Sequence, residues 1–201
     1  MLIGFTGKAG SGKSTACQMV NGDLPDVKLI NFKDGLVQEM KQNFPTVLDI
    51  LCKTMSELNS LKTLQLGQVI NQGEPWSHAR LFTEKPPLMR ALMQEYGTEV
   101  RRADNPDYWV DTWKKSVLDN QQFHIVCDDV RFLNEARAIK ELGGVLVRIK
   151  RDDITDTGTH QSEAEMDQIE VDHEFSAVKE GHDELHKQIR ELYTAELVPG
   201  K

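Results

Sequence analysis

The chain opens on Leu2-Ile3-Gly4-Phe5, an unbroken apolar run of the kind that fills a strand covered on both faces. The same pattern returns at Val27-Lys28-Leu29-Ile30-Asn31-Phe32, at Phe123-His124-Ile125-Val126-Cys127 and at Val145-Leu146-Val147-Arg148-Ile149, with a shorter repeat at Phe175-Ser176-Ala177-Val178. Between these runs the apolar spacing becomes helical. A short helix through Ala16, Cys17, Gln18 and Met19 is placed to end at Gly22. Asn105-Pro106-Asp107 forms a compact helix start, and Trp109, Trp113 and Val117 then fall on one face at i, i+4 and i+8. Residues 134–142 read as a helix closed by Gly143-Gly144, and residues 184–197 as a closing amphipathic helix. Strand, helix and strand in this order predict an α/β domain with a parallel sheet.

One stretch departs from that alternation. From Leu36 to about Arg102 the pattern is helical with no convincing strand: Met55, Leu58, Leu61, Leu64, Leu66 and Val69 recur at helical spacing. Asn71-Gln72-Gly73-Glu74-Pro75 breaks the run, and Pro86-Pro87 starts a further helix carrying Leu88, Leu92 and Met93. A helical subdomain covering a second substrate is expected there. Residues 150–163 are too polar to bury and read as a mobile loop.

Charge narrows the partners. Twenty-four Lys and Arg stand against 32 Asp and Glu, a net charge of −8, which disfavours non-specific binding to nucleic acid or a membrane surface. No apolar run is long enough to cross a membrane and no signal peptide precedes the first strand. Cys17, Cys52 and Cys127 are odd in number with no C-x-x-C spacing, so reduced core thiols are expected. These features predict a cytoplasmic enzyme.

The chemistry starts directly after the first strand. Gly7-Lys8-Ala9-Gly10-Ser11-Gly12-Lys13-Ser14 matches G-x-x-x-x-G-K-[ST] in full, between a strand and a helix as the motif requires. Such a loop turns successive backbone N–H groups inward onto phosphate oxygens, and the following helix aims its positive end at the same anion. A triphosphate is therefore expected at Gly7, Lys8, Gly10, Ser11, Gly12, Lys13, Ser14 and Thr15, with Lys13 between the β- and γ-phosphates and the Ser14 hydroxyl on Mg²⁺. A second carboxylate on the metal side belongs at the end of a neighbouring buried strand, where Asp128 and Asp129 stand side by side. Neighbours on a strand face opposite ways, so register decides between them.

Arginines point to the acceptor. Arg101, Arg102, Arg131, Arg148 and Arg151 lie near predicted strand ends or on polar loops of an acidic chain, and planar guanidinium groups grip phosphate bidentately. A phosphomonoester, with a second pKa of about 6, is ionised at neutral pH and needs no general base. A hydroxyl acceptor needs one, and Asp34 is the well-placed candidate. His182 and His186 sit at i and i+4 with an acid between them, but lack a third ligand, so a solvated helix face is the expected reading.

With these residues assembled, the chain resembles the deoxynucleoside monophosphate kinases of bacteriophages, within the wider group of P-loop nucleotide kinases. The similar stretches are the phosphate-binding loop, Asn31-Phe32-Lys33-Asp34-Gly35-Leu36, Tyr96-Gly97-Thr98-Glu99 with Arg101-Arg102, and Asn105-Pro106-Asp107-Tyr108-Trp109-Val110. Asp129-Val130-Arg131-Phe132-Leu133-Asn134-Glu135, Gly143-Gly144 and His160-Gln161-Ser162-Glu163 follow in the family's order. The resemblance implies a three-layer P-loop fold with a parallel sheet: one domain over 1–201, a helical acceptor-binding subdomain at 37–102 and a lid at 148–163. It implies ATP- and Mg²⁺-dependent conversion of deoxynucleoside monophosphates to diphosphates. Lys33, Asp34, Arg101 and Arg131 would face the acceptor, while Arg148 and Arg151 would belong to the lid and join Lys13 and Arg131 in catalysis. Arg90 and Arg102 are further candidates for the acceptor phosphate, Trp109, Tyr96 and Phe32 for stacking on its base, and Asp129 and Glu163 for its remaining contacts. The metal side is assigned to Ser14 and Asp129, although Asp128 beside it departs from the family pattern and keeps that carboxylate open.

Two other functions fit parts of the pattern. One is a P-loop kinase with a hydroxyl acceptor, dephospho-coenzyme A or a nucleoside, using Asp34 as base. The other is a nucleotide-binding regulator that hydrolyses slowly and signals through its helical insertion. Apolar residues in that insertion would also support a homodimer.

Overall fold

The computed structural model describes residues 1–43, 82, 87–151, 153, 165–177 and 183–197. Contacts divide the chain into two units, Met1–Phe32 with Val110–Lys201, and Lys33–Trp109.

The first unit is built on a five-stranded, wholly parallel sheet: β1 (Leu2–Thr6), β2 (Val27–Leu29), β3 (His124–Cys127), β4 (Val145–Lys150) and β5 (His173–Ser176), in the spatial order β2-β3-β1-β4-β5. Side chains alternate across the strands and so supply two cores. Leu2, Ile125, Cys127 and Leu146 face Trp113 and Val117 of α4 (Tyr108–Leu118) and Ala136 and Ile139 of α5 (Leu133–Glu141). Ile3, Phe5, Val126, Val147 and Ile149 face Ala16, Cys17 and Val20 of α1 (Lys13–Asp23) and Leu185, Ile189 and Leu192 of α6 (Asp183–Leu197). Each Val, Leu, Ile or Phe among them contributes about 1.5–3 kcal/mol by leaving water. Helices therefore cover both faces of the sheet, and the three-layer expectation holds.

All five strands run the same way, so their carboxyl ends share one edge. β1 is central and pairs with β3 on one side and β4 on the other. The loops after these three strands carry Gly7–Gly12, Asp128-Asp129 and Arg151 to the edge where open α/β sheets bind ligands.

α6 is fastened to the end of α1 through Asp23. Its carboxylate accepts from Tyr193 Oη at 2.8 Å and Arg190 Nε at 3.1 Å, and lies 2.6 Å from His186 Nε2. The Arg190 contact, followed by those of Tyr193 and His186, outweighs desolvation and holds the acid well below the usual carboxylate range. His186 is thus part of a helix-to-helix tie, while His182 lies outside the described residues.

Several boundaries differ from the sequence pattern, among them the last strand, which is His173–Ser176 and not 175–178. β2 is a three-residue edge strand with Leu29 49% exposed, not a buried strand to Phe32. The chain turns early because Asp129 Oδ1 accepts from Phe32 N at 3.0 Å, so α2 (Phe32–Gln42) begins there. Gly22 does not end α1, which runs on to Asp23 and stops where Leu24 turns extended. Asn105 Oδ1 accepts from Asp107 N at 3.0 Å as a cap should, but in a turn ahead of α4.

The second unit packs Met40 of α2, Phe82, Met89, Leu92 and Met93 of α3 (Pro87–Gln94), Tyr96 and Trp109 into a separate core. α3 begins at Pro87, as the proline pair predicted. It passes directly into a π-helix, Glu95–Arg102, in which the wider turn is visible where Ala103 N–H reaches back five residues to Thr98 O. The run from Met55 to Val69 lies outside the described residues, as does the polar loop except for Arg151 and Asp153.

Candidate active site

The loop after β1 has the backbone that its glycines allow. Gly7, Gly10 and Gly12 have φ of 137°, 77° and 106°, in the region L side chains rarely adopt. At Gly7 a Cβ would stand 2.3 Å from the Ile149 carbonyl oxygen, so neither the curl nor the close pass of β4 tolerates a side chain. Lys13, at the start of α1, is buried and folds its ammonium back over the loop, donating to the Gly7 carbonyl and to Lys8 O at 2.7 Å. The Ser11 hydroxyl is buried without a hydrogen-bond partner among the described residues. A cavity of about 440 Å³ opens here, lined by Gly7, Lys8, Ser11, Arg148, Arg151 and Met166 among others.

Ser14 donates from Oγ to Asp128 Oδ2 at 2.6 Å. Asp128 is held in place in turn, since its backbone N–H donates to Oδ1 of buried Asn31 at 2.8 Å. Two hard oxygens thus meet at the mouth of an inward-curled loop, beside an orphaned hydroxyl and a cradle that a Cβ would fill. That donor set suits Mg²⁺, and the loop suits a triphosphate.

Of the two adjacent aspartates, Asp128 is the one whose carboxylate meets Ser14, where Asp129 was expected. Asp129 faces the other way: its Oδ1 accepts from Phe32 N and, at 3.1 Å, from the Cys127 thiol, which burial keeps protonated. Arg131 follows at the sheet edge with its side chain exposed; its N–H and that of Phe132 donate to Oε2 of buried Glu135, at 2.8 and 3.1 Å, which fixes the start of α5.

The two lid arginines part company. Arg151 donates from Nη1 to Gly10 O at 2.9 Å and forks onto Asp153, and so rests on the phosphate-binding loop. Arg148 lies inside β4 and lines the same cavity, and its guanidinium is engaged by Met166 O at 3.1 Å, Ile169 O at 2.5 Å and Glu174 at 3.6 Å, which ties a neighbouring segment to the sheet.

In the second unit, Lys33 and Asp34 occupy the first turn of α2, half-buried and exposed respectively, and Arg90 is exposed on α3. Arg102 donates to Pro106 O at 3.4 Å. Arg101 is built into a cluster. Its Nη2 pairs with Glu39 Oε1, its Nε donates to Tyr96 Oη at 3.0 Å, and its guanidinium carbon lies 5.2 and 5.0 Å from the ring centres of Tyr96 and Tyr108. Both tyrosines donate to Glu39, Tyr96 to Oε1 at 2.6 Å and Tyr108 to Oε2 at 2.9 Å. Burial works to raise the Glu39 pKa, but these three donors together bring it below its ordinary value; burial and Glu39 push Tyr96 up to about 12.

None of the expected stacking residues offers an open ring. Trp109 is corrected from the substrate set: it is 3% exposed and donates from Nε1 to Gly97 O at 3.0 Å. Phe32 lies buried on Trp113 with ring centres 4.4 Å apart, and Tyr96 is buried in the Arg101 cluster. Glu163 lies outside the described residues.

Comparison with known proteins now bears on this geometry. Residues 37–180 match the model of the deoxynucleotide monophosphate kinase family. The chain belongs to that family. The kinase is also 31% identical over 181 residues to a protein of Acanthamoeba polyphaga mimivirus provisionally named a deoxynucleotide monophosphate kinase, covering 84% of this chain and 83% of the relative. In fold it is similar to dephospho-CoA kinase from Campylobacter jejuni, with TM-score 0.50, 12% identity, and 97% and 96% of the two chains covered. That likeness concerns architecture alone.

Two residues of the kinase escaped the sequence reading. Asn31 stood in a quoted stretch with no role; a buried polar residue at a strand end was the available signal. Glu39 left no local signal, since its partners are 57 to 69 residues away in sequence.

Proposed function

We propose that the kinase transfers the γ-phosphoryl group of ATP to a deoxynucleoside monophosphate, giving the diphosphate and ADP with Mg²⁺ as cofactor. The observation that carries the donor side is the Ser14–Asp128 pair at the mouth of the phosphate-binding loop. Family membership supports the acceptor class.

The loop's N–H groups would hold the β- and γ-phosphates, and Lys13 would exchange its carbonyl contacts for phosphate oxygens. Bound at Ser14 and Asp128, Mg²⁺ would supply neutralising charge for those oxygens. An oxygen of the acceptor phosphate attacks the γ-phosphorus as the bridging P–O bond to the β-phosphate breaks, and the electron pair leaves on ADP. The acceptor is already ionised, so no side chain has to remove a proton. The task left to the protein is positioning and charge neutralisation. We assign the acceptor side to the Lys33–Trp109 unit with Lys33, Asp34, Arg90, Arg101 and Arg102, and add Arg131 and Arg151 as further cationic groups around the transferring phosphate.

ADP release from Mg²⁺-ATP, measured in parallel with dTMP, dGMP, dCMP, dAMP, AMP, dephospho-coenzyme A and no acceptor, tests the reading. Turnover with one or more deoxynucleotides and little in the other wells is expected. Preference for dephospho-coenzyme A would move the kinase to a hydroxyl acceptor, and equal release in every well would make it a hydrolase.

A further inference from the structure

The Arg101 cluster has more order than packing requires. Arg101 and Tyr96 are five residues apart, and only the π register, which repeats its bonds at i→i+5, brings residues so spaced to the same side of one helix. Such turns interrupt an otherwise favourable α-helix and recur at functional sites. The Gly97 carbonyl accepts from the Trp109 indole, so the irregular turn is braced from α4. Glu39 comes from a third element and has both oxygens occupied, Oε1 by Arg101 and Tyr96, and Oε2 by Tyr108. A carboxylate held at both ends cannot rotate, and a guanidinium lying against two rings cannot swing away from it.

What remains of Arg101 is one edge. Nε and Nη2 are engaged, whereas Nη1 has no hydrogen-bond partner among the described residues, and the side chain is 31% exposed. An apolar group of the same volume would serve packing at least as well as a half-open ion pair. A charged fork locked on one side and open on the other instead suits an oxyanion such as a phosphomonoester.

Resting on the acceptor assignment above, we propose that Glu39 is a positioning residue for acceptor binding: with Tyr96 and Tyr108 it presets Arg101 so that Nη1 meets the phosphate of the deoxynucleoside monophosphate. Preorganisation of this kind lowers the cost of binding without touching the transferring group, so its loss falls on acceptor KM.

The test is steady-state kinetics of wild type, Glu39→Gln and Tyr108→Phe, with acceptor and ATP varied separately and folding checked by circular dichroism and Tm. Glu39→Gln keeps the volume and loses the charge. Acceptor KM should rise at least about tenfold with kcat within about threefold and ATP KM within about twofold. Tyr108→Phe should move acceptor KM the same way by about threefold. A folded Glu39→Gln enzyme with unchanged acceptor KM, or equal losses toward both substrates, overturns the proposal. If Glu39→Gln does not fold, Tyr108→Phe decides on the same criterion. A wild-type enzyme that phosphorylates no deoxynucleoside monophosphate defeats the acceptor assignment itself, a result distinct from an active wild type with indifferent variants.

Discussion

On the proposed function, the two units would recognise phosphate by different means. In the first, recognition is built from backbone: a loop of eight consecutive residues, curled by glycines at positive φ, with one lysine, one serine and a carboxylate from the adjacent strand. In the second it is built from side chains, with one arginine fixed by a carboxylate and two tyrosines drawn from three helical segments. A backbone cradle accepts any polyphosphate of the right charge and leaves little to tune. A side-chain fork depends on every member of its cluster, and that is where discrimination among acceptors can be adjusted. The units should accordingly fail differently when damaged, the first in turnover and the second in acceptor affinity.

Lys13→Ala should have the largest effect, lowering kcat at least about a hundredfold, the size expected when a charge aimed at the transferring group is removed. Tm should move little. Near-normal turnover would remove Lys13 from the phosphate site. Next, Asp128→Asn and Asp129→Asn set the two neighbours against each other. Asp128→Asn should cut kcat by roughly a hundredfold and raise the Mg²⁺ concentration needed for half-maximal rate. Asp129→Asn should leave that requirement alone and lower Tm by a few degrees through weaker capping of α2, about 1 kcal/mol. Reversed phenotypes would restore Asp129 to the metal side.

Arg101→Lys comes third. It keeps the charge but loses the fork, so acceptor KM should rise about tenfold while ATP KM stays put. A matching rise in ATP KM would erase the distinction between the units.

The smallest effects concern stability and its pH dependence. Asp23→Asn should lower Tm at pH 7 by roughly 2–4 °C, the loss of about 1 kcal/mol in a chain of this size. Asp23, Asp172 and Glu39 all have folded pKa values below their ordinary 3.8, 3.8 and 4.5. For Asp172, burial opposes the shift and is outweighed by the Leu146 N–H and Lys140. The unfolded chain then binds more protons in that window, so stability is present above pH 4.5 and falls as pH drops through and below these values. Tm should be level between about pH 7 and 5 and decline below about 4, and the gap between wild type and Asp23→Asn should narrow over the same descent. A gap that widens in acid would contradict the assignment of Asp23.

The contrast also explains what the sequence disclosed. The strands, the phosphate-binding loop and the carboxylate pair could be read directly, because each is written in contiguous residues and each follows from a local rule of backbone geometry. Which of Asp128 and Asp129 meets Ser14 could not be read that way, since it depends on how the turn after β3 aims each side chain. β2 looked buried because Ile30 and Phe32 are core residues, yet they leave the strand before reaching it. Trp109 carried the right chemistry for a site and is instead buried with its indole on Gly97, while Arg148 lines the cavity and also holds Met166 and Ile169, internal partners that no local pattern announces. Glu39 was hidden for the complementary reason. An acid on an exposed-looking helix acquires meaning only through distant tyrosines and through a π turn, for which apolar periodicity has no signature.

The most direct test of the account follows the label from ATP carrying a radioactive γ-phosphate, with Mg²⁺ and each deoxynucleoside monophosphate in turn, the products being separated by chromatography. The account predicts label in the deoxynucleoside diphosphate, dependent on acceptor and on Lys13. Label appearing only as inorganic phosphate, at the same rate with and without acceptor, would contradict it.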